Sequence, residues 1–156
     1  MHHSSDVNDS TPSDKEHVGL LADFCKEELG AAETYKRAMT LDPLRKHTDI
    51  LSRCYASHQQ RASELRQRIT ELGGSPPTAP GAWSSLVPTL TSAAAAVSES
   101  LAVSLLEESE DRGVRRYREH TNDLDPLDQT FVNERLMPGQ AVTHAAMSEL
   151  KLAVSS

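Results

Sequence analysis

ELGAAETY at residues 28–35 has a counterpart 82 positions further on, EDRGVRRY at residues 110–117. In both, a glutamate precedes a tyrosine by seven residues, Glu28 to Tyr35 and Glu110 to Tyr117, which is two turns along one helix face. Each stretch is followed by the tetrapeptide LDPL, at 41–44 and again at 124–127, an offset of 83. Features repeating in so nearly one register predict two helical hairpins related by a pseudo-twofold axis.

Upstream of the first stretch, Ser13 and Glu16 have the spacing of a capping box, which satisfies the free amides at a helix start. A first helix is expected from there to about Thr40, with an apolar stripe of Val18, Leu21, Phe24, Cys25, Ala31, Ala32, Tyr35 and Met39. Asp42-Pro43 restarts the chain, with Asp as N-cap and Pro at the first helical position. The second helix runs to Leu72 on the stripe Leu44, Leu51, Cys54, Tyr55, Ala62, Leu65, Ile69 and Leu72, and Gly73-Gly74 ends it. The link SPPTAPGAWSSLVP is the longest break, with a short helix expected within 81–97. Ser98 or Ser100 caps a third long helix to about Thr121. Asp125-Pro126 opens a fourth, which Pro138-Gly139 is expected to kink. Short links make each half an antiparallel hairpin, and the 26 residues from 73 to 98 suffice to run back along the bundle. The fold class is therefore all-α: a four-helix bundle over 14–153 with one long crossover between helices two and three, preceded by a disordered tail at 1–13.

Composition narrows the function classes. The 156 residues suffice for one domain, and 16 basic against 23 acidic residues give a net charge of −7, unsuited to nucleic acid or an anionic membrane. No apolar run is long enough to span a bilayer, and the polar N-terminus MHHSSDVNDSTPSD lacks the core of a signal peptide, so the cytoplasm is the expected location. Cys25 and Cys54 lie about 10 Å apart along antiparallel helices at 1.5 Å per residue, too far for a disulfide. No nucleophile triad, phosphate loop or dinucleotide fingerprint is present.

The polar residues within the apolar stripes carry the chemistry. Glu28 falls between Phe24 and Tyr35, His58 between Cys54 and Ala62, and Glu110 between Leu106 and Tyr117; His144 follows Met137 and Ala141 at helical spacing. Each helix thus points one ionisable group inward, and four such groups must meet one another, water or a metal. Two carboxylates and two imidazoles are suitable ligands for one Fe, Mn or Zn ion. The alternative is a hydrogen-bonded core network with no cofactor, and the two stand level.

These residues resemble the ferritin-like superfamily. ELGAAETY is similar to the first-helix motif of bacterioferritins, and EDRGVRRY to its equivalent on helix three. LGGSP at 72–76, LLEESEDRGVRRY at 105–117 and QAVTH at 140–144 look more closely like a bacterial ferritin-like family, a domain of unknown function related to bacterioferritins and rubrerythrins. The resemblance implies a bundle with two glutamates and two Glu-x-x-His motifs around two metals. This chain departs from that set. Counted from LDPL, Ala141 is 15 residues beyond Pro126 as His58 is beyond Pro43, so the motifs read His58-x-x-Arg61 and Ala141-x-x-His144 and both bridging carboxylates are missing. A di-metal oxidase is accordingly the last-ranked reading.

Two readings lead. The first is a bundle holding a single ion through Glu110 and His144, with His58 and Glu28 completing it, linked by the resemblance to metal handling or stress. The second is a metal-free structural or protein-interaction bundle. Arg61 stands either beside Glu28 in place of a lost metal or at the surface. Gln140 is either a supporting partner or exposed, and Tyr35 and Tyr117 either bond the carboxylates across the bundle or are plain core aromatics. A homodimer stays open as the partner.

Overall fold

The computed structural model describes residues 12–80 and 97–155, with side chains from residue 15 onward. Helix α1 spans Pro12–Ala38, α2 Thr48–Glu71, α3 Glu99–His120, α4 Pro126–Phe131 and α5 Met137–Val154; a π-helical turn, Val132–Leu136, joins α4 and α5 into one rod. Among the described residues there is no strand, and no helix is long and apolar enough to cross a membrane. The four rods pack together, α1 chiefly against α2 and α3 chiefly against α5. Residues 1–11, most of the expected tail, and residues 81–96, most of the expected crossover and its short helix, lie outside the described residues.

Most ends follow the expected chemistry. Ser98 caps α3 by accepting the amide of Leu101, and Asp125 caps α4 by accepting that of Asp128 with Pro126 in the first turn. Past α2, Gly73 takes a φ of 81°, its amide donates to Thr70 O, and that of Gly74 to Ile69 O. This is the Schellman closure that only a residue tolerant of positive φ completes cheaply.

Two segments differ from expectation. Asp42 does not cap an α-helix: Asp42–His47 is a 3-10 helix following Leu41, and Asp42 pairs with Arg45 at 2.9 Å. In a 3-10 turn residues i and i+3 eclipse, which sinks Leu41 and Leu44 into the same core. In the fourth rod Pro138 lacks the amide that would continue the ladder, and the chain adjusts over the preceding turn, where Val132–Leu136 widens to π geometry.

The core is split. Leu44, Leu51, Cys54, Val103, Leu106 and Met147 belong to one apolar cluster, and Leu21, Phe24, Leu65, Ile69, Val132 and Leu136 to the other. The expected stripes of α1 and α2 are largely buried, except that Leu72 is exposed at the C-cap. Between the two clusters lies a layer of polar side chains.

Candidate functional site

The layer is supplied by every long rod. α1 gives Glu28, α2 gives His58 and Arg61, α3 gives Glu110, and α5 gives Gln140 and Thr143; all six are at most 3 % exposed. His58 contacts Glu28 Oε2 through Nδ1 at 2.6 Å and Glu110 Oε1 through Nε2 at 2.7 Å, so one imidazole ties α1 to α3. Arg61, one of the largest fully buried side chains, donates to Glu28 Oε1 at 3.0 Å, to Thr143 Oγ1 at 3.1 Å and to Gln140 Oε1. Gln140 Nε2 and Thr143 Oγ1 each donate to Glu110 Oε2 at 2.8 Å.

The tyrosines cross the bundle. Tyr117 donates to Glu28 at 2.5 Å and Tyr35 to Glu110 at 2.7 Å, each half's tyrosine serving the other half's glutamate. That exchange fits the pseudo-twofold axis expected from the repeat. It also makes α1 and α3 antiparallel, since 28 meets 117 while 35 meets 110.

Electrostatically the layer balances, two carboxylates against an imidazolium and a guanidinium. Burial alone pushes Glu28 and Glu110 up, but Arg61 and His58 beside Glu28, and His58 beside Glu110, more than reverse it and hold both below the ordinary value. Burial likewise opposes charge on His58, yet the carboxylates on either side raise it. Tyr35 and Tyr117 are pushed well above their ordinary value, by burial and then by Glu110 and Glu28 respectively, and so stay protonated donors.

Of the four expected metal ligands, Glu28, His58 and Glu110 come together and His144 does not. His144 turns outward, with Nε2 on Asp111 Oδ1 at 2.5 Å and about a third of its side chain exposed. The register explains the difference. Alignment of the halves through LDPL puts Ala141 and His144 inward, whereas the layer keeps the 82-residue offset of Glu28 and Glu110, so His58 answers to Gln140 and Arg61 to Thr143. The turn motif does not carry its register to the site. The second rod begins in a 3-10 turn, wound tighter than α, and the fourth contains a π turn, wound looser. Thr143 escaped the reading from sequence; the constant offset from Arg61 was the signal for it.

The three that meet are a poor cradle for an ion. Both nitrogens of His58 face carboxylate oxygens, which leaves no lone pair free, and Glu28 and Glu110 lie on opposite sides of its ring, so their oxygens do not converge. Arg61 adds a fixed cation beside Glu28. Among the described residues the grouping with ligand-like convergence is instead Glu107, Asp111 and His144.

Cys25 and Cys54 are both free and buried, matching the expected lack of a disulfide. Comparison of the chain with protein-family models, with curated proteins and with solved structures returns no significant match.

Proposed function

We propose that the chain is a ferritin-like four-helix bundle whose buried polar layer holds no metal, with segment 73–98 as its crossover. In this reading an ionic layer stands where the superfamily keeps its metal centre, and the protein serves as a structural or interaction module. The observation that carries it is the closed donor and acceptor account of Glu28, His58, Arg61 and Glu110, in which both carboxylates are neutralised by side chains and bonded by tyrosines. A buried ionic layer of this kind contributes little net stability compared with apolar packing, and its best-attested use is to fix register, because any slip strands a charge. The net charge of −7 argues against nucleic acid as partner. A second copy of the chain is the partner retained, and a reducing cytoplasm suits the two buried thiols.

The test is thermal unfolding of untagged protein with and without chelator, on a chain carrying Asp111→Asn and His144→Ala so that the outer carboxylate–histidine group is silent. The expected result is an unchanged Tm and no stoichiometric metal. One bound ion per chain, or a fall in Tm on chelation, overturns the proposal.

A further inference from the structure

We propose that Glu107, Asp111 and His144 form a binding site for a first-row divalent cation on the outer side of the α3–α5 pair. Glu107 and Asp111 stand one turn apart on α3 and His144 faces them from α5; each offers one ligand atom, and the three atoms lie within 4.8 Å of one another. Ligand atoms about 2.1 Å from a common ion sit roughly 3 to 4 Å from each other, so small rotamer changes close the set. All three residues are partly buried, which fixes their directions while leaving the ion a path from solvent.

The existing contacts have the form of a cation site held by substitutes. His144 Nε2 and Asp111 Oδ1 are hydrogen-bonded at 2.5 Å, a contact that a bound ion replaces. Lys151 Nζ donates to Glu107 Oε2 at 3.2 Å and supplies positive charge there. Beside Asp111 and His144 opens a cavity of about 500 Å³, also lined by Arg115, Arg118 and Gln140. Its opening leaves coordination positions free for water or a small anion, and the arginines favour the anion. One imidazole and two carboxylates suit Zn, Mn or Fe(II) better than the all-oxygen shells of Ca or Mg. The site is separate from the ionic layer, and either proposal stands if the other fails.

The test is isothermal titration of untagged protein with Zn²⁺ and with Mn²⁺ at neutral pH. His2 and His3 remain in every variant, so differences report the site. The expected result is one ion per chain. His144→Ala and Asp111→Asn should each weaken binding by at least about tenfold, and Lys151→Ala, which frees Glu107, should tighten it. Both weakening substitutions fall on partly exposed residues, and far-UV circular dichroism checks that the helices persist. No saturable binding in the wild type, or affinity unchanged in His144→Ala and in Asp111→Asn alike, overturns the proposal. Should either variant unfold, unchanged affinity in Lys151→Ala does so instead.

Discussion

His58 and Gln140 stand 82 residues apart in the chain and bind the two oxygens of one carboxylate, His58 on Glu110 Oε1 and Gln140 on Glu110 Oε2. The two halves have kept the same inward position while changing its chemistry, a cation in one and a neutral amide in the other. That asymmetry makes the layer neutral: a second histidine at 140 would add a positive charge with no carboxylate to meet it.

Removal of the bridging cation should be severe. His58→Ala leaves Glu28 and Glu110 buried with Arg61 as the sole cation of the layer, and breaking a buried pair this way costs about 3–5 kcal/mol. Urea unfolding measures it; a loss below about 1 kcal/mol would mean that the layer is more hydrated than its burial implies.

Stability should form a plateau in pH with two sloping sides. Glu28 and Glu110 are depressed on folding, so their contribution is complete above the ordinary 4.5 and is lost as pH falls through their folded values. His58 is raised, so its contribution is complete below the ordinary 6.5 and is lost as pH rises from there through its folded value. The plateau lies between 4.5 and 6.5. Urea midpoints from pH 3 to 9 follow it, and the alkaline slope should be absent in His58→Gln.

Arg61 and Glu28 should be strongly coupled. Arg61→Met leaves Glu28 with His58 and Tyr117 but takes one positive charge from the buried layer and costs roughly 2–4 kcal/mol, whereas Arg61→Met with Glu28→Gln removes both charges and recovers part of the loss. A double-mutant cycle in urea reads the interaction directly, and additive losses would contradict the pairing.

Gly113 and Gly19 both lie inside helices, and the same substitution should act with opposite sign at the two. A Cβ at Gly113 would meet Gln140 Nε2 at 2.9 Å, and Gln140 is held by Arg61 and Glu110 and cannot easily move aside. Gly113→Ala should therefore destabilise by about 1–3 kcal/mol. Nothing lies within 4 Å at Gly19, so Gly19→Ala should stabilise by up to about 1 kcal/mol through helix propensity. Thermal unfolding of the pair checks both.

The thiols should be silent in the native protein. Burial is the main cause that pushes Cys25 and Cys54 up to about 11. A thiol reagent at neutral pH should label neither until denaturant is added, and fast labelling of the native chain would show that the bundle opens readily.

The helical class, the placement of the long helices and three of the residues that meet at the centre were legible in the amino-acid order. Those features follow from local causes: apolar period, Asp-Pro and Gly-Gly punctuation, and Glu and Tyr spaced two turns apart. That order also gave the choice for Arg61, Gln140 and the tyrosines as open alternatives, without deciding it. The tertiary structure turned Gln140 and Thr143 inward and His144 outward, because a residue's azimuth on the fourth rod depends on a π turn that a count from Pro126 does not register, and on the second rod it buried Arg61 against Glu28. The chemistry of the centre followed from that rotation. Whether Glu28 and Glu110 face an ion or a pair of organic cations depends on which side chains four packed rods bring to the same level, and no single helix carries that information.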